Sequence, residues 1–456
     1  MYSFTESTRL FSVDKLEDTF NTFIKSNSAL GIDKMTYEYF SNNKLDLLNY
    51  INVKISNDTY NFTPYKEKLI VKSRSSYPRL ISIPTLKDKL VLKSIHIELT
   101  KIYDEIKQPL PQECVQEIKS SIHLFSHFIK LDIANFYGNI KHGILIDKLN
   151  RKNMTNGLLT LISKAITTQT VPSNDSNDFE IITQGIPQGL SISNILANIY
   201  LHDLDMQFGN RDDIKYIRYV DDILILCNKD NYERIYKEIK YEVEGIYNLS
   251  LNTTKEEKGL IKELGFAFLG YAVKDFGKAI PKLTVREANK KRFEDSIVML
   301  FSKYKFSNKM SPEQFIFSLN NKITGSVSKK VSGDESKDYK YGWLFYFSQM
   351  EDTGYLYHLD WLIDKLLNKQ NFNHLNKSNV KSFVKAFYEI KYNFKESNYI
   401  HKPDSLPIEE KKRLLIDIFK IPERTLIDPR TIDKQYKRLV YKPISEYEKD
   451  IKNLIS

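Results

Sequence analysis

Two apolar runs, Ile214-Lys215-Tyr216-Ile217-Arg218 and Ile223-Leu224-Ile225-Leu226, flank the tetrapeptide Tyr219-Val220-Asp221-Asp222. Strands this close must fold back on each other, which puts two adjacent acids at the tip of an apolar hairpin. Asp is also a common turn residue, so this feature alone would suit a solvated hairpin end as well. A second apolar strand, Phe128-Ile129-Lys130-Leu131-Asp132-Ile133, again ends in an acid. If the strands are neighbours, Asp132, Asp221 and Asp222 converge on one sheet edge, where three like charges repel unless divalent cations neutralise them. Two magnesium ions about 3.5–4 Å apart are the usual remedy, and such a pair activates an attacking hydroxyl and stabilises a leaving oxygen in phosphoryl transfer. The histidines are scattered, which argues against zinc.

The rest of the chain limits the setting. Residues 1–60 read as helical, with a capped turn at Gly31 to Thr36. A basic hairpin spans about 65–83, and a helix begins at Thr85. Strands alternate with helices from 128 to 271, and 230–247 carries its apolar residues at helical spacing. Beyond Pro281 the pattern predicts helices only: Arg286 to Tyr304, then one opened by the capping box Ser311-Pro312-Glu313-Gln314, with a loop at 328–339 and a basic helical tail. With 41% hydrophobic residues among 456, the chain can bury a sizeable core. Cys114 and Cys227 are too few and too far apart for a disulfide framework or a zinc finger, and fit a reducing cytoplasm. No run approaches the roughly 20 apolar residues of a membrane span, and the polar Met1 to Leu10 does not read as an export signal. A net charge of +10 suits phosphate-bearing partners, and equally a Lys-rich compositional bias.

Asp132-Ile133-Ala134-Asn135-Phe136-Tyr137, Gln184-Gly185-Ile186-Pro187-Gln188-Gly189 with Ser193, and Tyr219-Val220-Asp221-Asp222 resemble, in order, motifs A, B and C of reverse transcriptases. Arg79-Leu80-Ile81-Ser82-Ile83-Pro84-Thr85 with Asp88 is similar to the fingers block of bacterial members, Leu249 to Asn252 with Lys255 to motif D, and Phe268-Leu269-Gly270-Tyr271 to the primer-grip block. Gly31 to Thr36 resembles a stretch found in group II intron and retron-type enzymes.

The resemblance implies an α+β right-hand polymerase: fingers over 1–125, an antiparallel palm over 126–285 with an insertion at about 143–183, a helical thumb over 286–369, and a helical extension over 370–456. It implies Asp132, Asp221 and Asp222 as catalytic and, with the Ile133 carbonyl, as ligands of two Mg2+. Arg79, Ala134, Asn135, Gln188 and Lys255 would meet the incoming deoxynucleotide, with Lys255 as proton donor to pyrophosphate; a solvated cation is the plain alternative. The family's lysine just before this arginine falls near Tyr77 here, so its role would pass to Lys72 or Arg74, or be missing. Tyr137 would exclude a ribose 2′-hydroxyl, although it also reads as a core aromatic. Gly189, Tyr219, Leu269 and Gly270 would meet template and primer. Paired endonuclease cysteines and the retron motifs N-A-x-x-H and V-T-G are not found. By elimination the chain resembles defence-associated reverse transcriptases, which copy a small non-coding RNA into DNA during phage infection. A retron enzyme and a maturase-like splicing protein are the alternatives, and a protein partner or self-association is left open. Arg286, Lys290, Lys291 and Arg292, with Lys411, Lys412 and Arg413, are the expected surface for a dedicated RNA.

Overall fold

The computed structural model describes residues 9–71, 78–152, 154–172, 182–275, 277, 280–306, 310–332 and 335–441, with 329–332 and 335–338 described by backbone alone. Two compact units emerge: Met1–Pro109 with Phe125–Gly259, and Leu110–Leu124 with Leu260–Ser456.

The strands of the first unit are β1 (Tyr65–Ile70), β2 (Arg79–Ile83), β3 (His127–Ala134), β4 (Thr170–Val171), β5 (Ile214–Tyr219), β6 (Asp222–Cys227), β7 (Ser250–Leu251) and β8 (Glu257–Leu260). The main sheet runs β5-β6-β3-β7, with β8 also pairing β3. The pairs β5–β6, β6–β3 and β3–β7 are all antiparallel. Apolar residues fill β3 and β6 almost continuously, so both strands are buried, and the helix Ser193–Gly209 beneath them is apolar on nearly every face. A separate small sheet, β2-β1-β4, carries the basic hairpin. The helix Leu86–Ile102 starts where its sequence requires: Thr85 is the N-cap, accepting from the Asp88 amide. The Thr85 hydroxyl also donates to Asp88 Oδ2 at 2.6 Å, and Tyr60 Oη donates to Oδ1 at 2.8 Å. Thr85 and Asp88 of the fingers block therefore hold the fold together. The helix expected at 230–247 is α-helical over Lys229–Tyr241 and continues as one wider π-turn over Glu242–Ile246.

The second unit corrects the reading beyond Pro281. Strands do not stop there: β9 (Phe266–Phe268), β10 (Tyr271–Lys274) and β11 (Lys282–Val285) form a three-stranded antiparallel sheet. The expected loop at 328–339 is a hairpin, β12 (Ser326–Ser332) against β13 (Glu335–Tyr341). Helices Glu287–Phe306 and Pro312–Thr324 follow the prediction, and the capping box forms: Ser311 Oγ accepts from Gln314 N while Gln314 Oε1 accepts from Ser311 N, each at 3.2 Å. The tail is a series of short helices, Phe383–Tyr392, Ile408–Asp417 and Pro429–Tyr436, with 3-10 turns between them. Among the described residues no helix is long and apolar enough to cross a membrane.

Candidate active site

Antiparallel register puts Asp132 directly opposite Asp222. Cross-strand partners share a face, so the two carboxylates stand on the same side of the sheet. Asp221 is tied to the same point by its backbone, because Ile133 N donates to the Asp221 carbonyl at 3.0 Å. On the other flank of β3, Asn252 N donates to the Asp132 carbonyl at 2.8 Å. Asp132 is 7% exposed, and its carboxylate is held within the protein: Lys255 Nζ lies 2.9 Å from Oδ1 and Asn252 Nδ2 lies 3.2 Å from Oδ2. Burial raises the pKa of Asp221, and the charge of Asp132 adds to this while Arg79 and Lys255 oppose it. Burial, followed by repulsion from Asp221 and Asp132, pushes Asp222 up to about 7.

These shifts mark a cluster short of positive charge, and carboxylate oxygens are the donors that hard divalent cations take. In kind, therefore, the residues fit such ions. In arrangement they are not yet closed: among the described residues no three acidic, His or Cys side chains stand as a ready metal cage. Lys255 and Asn252 occupy Asp132, and a cation would have to displace Lys255 from it.

The turn that presents Asp221 is strained and buttressed. Tyr219 pairs with Asp222, leaving Val220 and Asp221 as a two-residue hairpin loop, and Val220 takes φ 58°. A β-branched residue in the left-handed region costs on the order of 1–3 kcal/mol. Arg218 supports it from below, donating from Nη1 to the Val220 carbonyl at 2.8 Å and to Asn198 Oδ1 at 3.3 Å. The same guanidinium grips Asp205 of the Ser193–Gly209 helix through Nε at 2.7 Å and through Nη2, and Tyr216 Oη donates to Asp205 at 2.9 Å.

Motifs A and B interlock. Asn135 has φ 45° and begins the short helix Phe136–Asn139, and Asn139 Nδ2 donates to the Ala134 carbonyl at 2.9 Å. Gly185 N donates to the Ile140 carbonyl at 2.8 Å and Ile186 N to that of Tyr137 at 2.7 Å. Gly189, at φ 106°, passes so close to β2 that a Cβ would lie 2.8 Å from Ser82 O, and Ser82 N donates to the Gln188 carbonyl at 2.7 Å. The glycines thus let the motif B loop lie flush against its neighbours. Tyr137 is half-buried; burial and the nearby Asp221 push its phenol up to about 12, and its hydroxyl lies 3.4 Å from Asn194 Oδ1. Phe136 is buried in the core. Arg79, at the start of β2, is exposed, and so is Gly189, while Tyr219 is half-buried. Lys72, Arg74 and Tyr77 lie outside the described residues.

Leu269 and Gly270 belong to the second unit, where they form the two-residue turn between β9 and β10 with φ 49° and 80°. Tyr346 Oη donates to the Leu269 carbonyl at 2.9 Å, and Arg286 N to that of Gly270 at 3.0 Å. Leu269 itself is buried.

Residues 70–273 match the family model for reverse transcriptase (RNA-dependent DNA polymerase). The chain carries a reverse transcriptase domain. The group II intron-encoded protein LtrA of Lactococcus lactis is 26% identical over 323 residues, covering 67% of this chain and 50% of that protein. The chain thus spans half the length of this relative. Protein YkfC of Escherichia coli is 22% identical over 305 residues, with 55% of this chain and 78% of that protein covered. Among solved structures, apo telomerase from Candida tropicalis aligns over 96% of this chain and 78% of its own, at 14% identity and a TM-score of 0.42.

Sequence reasoning missed the support of this reverse transcriptase domain. The Arg218–Asp205 pair could have been suspected from an arginine placed in a largely buried strand one residue before the Tyr219-Val220-Asp221-Asp222 turn. Several cations expected to face RNA are already engaged: Lys290 pairs with Glu287 and Asp352, each at 3.3 Å, Lys411 with Asp433 at 3.0 Å, and Lys412 with Glu423 at 2.8 Å.

Proposed function

We propose that this chain is an RNA-directed DNA polymerase that copies a dedicated non-coding RNA by two-metal nucleotidyl transfer, in antiviral defence. The observation that carries the chemistry is the register pair Asp132–Asp222 with Asp221 bonded to the same strand end. Asp132, Asp221, Asp222 and the Ile133 carbonyl are the groups that would hold Mg2+, which when bound supplies an activated hydroxyl and charge neutralisation at the leaving oxygen. Arg79 holds the triphosphate, the main chain of Ala134 and Asn135 runs beneath it, and Gln188 lies beside the base. Tyr137 bars a 2′-hydroxyl, so deoxynucleotides are selected. Gly189 and Tyr219 lie along template and primer, Leu269 and Gly270 meet the primer end, and Lys255 releases Asp132 to protonate pyrophosphate. In this reading 1–125 serve as fingers, 126–285 as palm, 286–369 as thumb and 370–456 as an RNA-directed extension. The defence role is reached by elimination: the stretch between blocks A and B lacks the retron signature, which counts against the retron alternative.

Primer extension by the purified chain on an annealed RNA template, with labelled deoxynucleotides and Mg2+, tests the activity, and sequencing the RNA that co-purifies tests the template. DNA synthesis and one discrete RNA are expected. Likeness to a group II intron-encoded protein favours a second reading, a maturase-like protein that assists splicing. No extension together with bound intron RNA would select it.

A further inference from the structure

In the second unit a cavity of about 270 Å³ opens between the helix Pro312–Thr324 and the segment 397–406, lined among others by Phe317, Asn321, Lys381, His401, Lys402 and Ser405. No acidic side chain is among its lining residues. Lys381 Nζ donates to the Tyr399 carbonyl at 2.5 Å and Lys402 Nζ to the Lys395 carbonyl at 3.1 Å. Among the described residues neither lysine meets a carboxylate within ion-pair distance, unlike Lys290, Lys411 and Lys412 of the same unit. Burial lowers the pKa of Lys381, so its charge is held at a cost.

His401 adds the second observation. Both of its ring nitrogens are buried and have no hydrogen-bond partner. A neutral imidazole carries one donor and one acceptor, and leaving such groups unsatisfied in the interior is destabilising. Burial and Lys381 hold the ring neutral, down to about 4. Two lysines with carbonyl and ring partners but no carboxylate, and an orphaned imidazole, around one cavity lack a single thing, a compact anion rich in acceptor oxygens. A carboxylate has two oxygens for these three groups, whereas a phosphate monoester has one terminal oxygen for each lysine and one for the ring.

We propose that this cavity binds a phosphate monoester, the group that ends a nucleotide or a 5′-phosphorylated nucleic-acid strand. The volume sits near the lower end of ligand cavities, roughly 300 Å³, which leaves room for the phosphate and part of the group that bears it. The proposal does not rest on the polymerase reading, since none of these residues belongs to the carboxylate cluster.

Equilibrium dialysis of the full chain against radiolabelled inorganic phosphate, in EDTA, is the direct test. One saturable site is expected, weakened about tenfold in Lys402→Gln, whose side chain anchors little else, and unchanged in Asp221→Asn. Selective 13C labelling of histidine gives an independent readout, because phosphate should raise the His401 pKa. Competition distinguishes the sources. Displacement by AMP and by a 5′-phosphorylated RNA oligonucleotide, but not by its unphosphorylated twin, assigns a nucleotide or strand end; displacement by neither overturns the monoester and leaves inorganic phosphate alone. No saturable site in the wild type, or equal binding in Lys402→Gln with an unmoved His401, overturns the proposal.

Discussion

Lys255 and any cation bound at Asp132 compete for the same carboxylate oxygen. Lys255→Met should therefore tighten Mn2+ binding to the substrate-free protein while lowering kcat if Lys255 is the proton donor proposed above; calorimetry and primer extension read the two effects separately. Unchanged affinity would mean that the ion pair does not guard the site. Asp222 supplies the pH dependence. Folding raises its pKa from the ordinary carboxylate value to about 7, so its contribution to the stability of the metal-free protein is full below the unfolded pKa and is lost as pH rises through about 7. A cation must displace that proton, so Mn2+ affinity should climb from about pH 6 to about pH 8 and level off above. An affinity flat across that interval would count against Asp222 as a ligand. Tyr137→Val should open the sugar pocket, and the preference for deoxynucleotides over ribonucleotides should collapse through better ribonucleotide use. An unchanged ratio in steady-state incorporation would move the gate elsewhere. The meeting of Asp132 with Asp222 and Asp221 was legible because strand-end position is a property of sequence, and the role proposed for Tyr137 rests on its spacing from Asp132. The hold of Lys255 on Asp132 was not, because it depends on two strand ends meeting in space.

The hairpin β5–β6 shows what an element adds to its residues. Its register follows from two apolar runs with a two-residue loop, but the loop keeps Val220 in a costly conformation, and the carbonyl of that residue is held by Arg218. Arg218→Lys should lower kcat with little change in KM, since a compact ammonium cannot reproduce the planar fork that meets both oxygens of Asp205 while Nη1 serves Asn198 and Val220. Arg218→Met, which leaves Asp205 with the Tyr216 hydroxyl as its remaining partner among those described, should lower unfolding free energy by about 1–3 kcal/mol in urea titration. If Arg218→Lys matches the wild type in kcat, the buttress is packing alone. The hairpin β12–β13 was illegible for a different reason. Its strands are mostly Ser, Lys and Asp, so no apolar alternation marks them. The usable signal was Gly325 and Gly342 at its base: Gly342 packs so tightly that an added Cβ would lie 2.6 Å from Gly325 Cα. The fingers block carried the opposite lesson. Thr85 and Asp88 look like part of a substrate motif, yet they cap a helix and anchor Tyr60.

At the scale of the molecule, the two units differ in how fully the sequence declares them. The first is organised around an apolar sheet whose strands stand out in any hydropathy reading. The second is assembled from charged helices, and much of its positive charge is spent internally. Lys290, 13% exposed at its side chain, also lies over the ring of Tyr355 at 4.9 Å. Charge reversal there should perturb the unit itself, whereas Lys291, which is exposed, is the better probe of RNA retention. Bound RNA should be lost steeply as salt rises, and Lys291→Glu should shift the loss to lower salt while sparing extension on a generic primer. All of this presupposes that the carboxylate cluster makes DNA. Asp221→Asn keeps the shape of the turn and removes one charge, with Asp213→Asn, whose partners are Arg211 and Arg234 away from the cluster, as the matched control. With both variants folded by circular dichroism, primer extension on an RNA template should fall by several orders of magnitude in Asp221→Asn and persist in Asp213→Asn. Extension retained in Asp221→Asn would contradict the account.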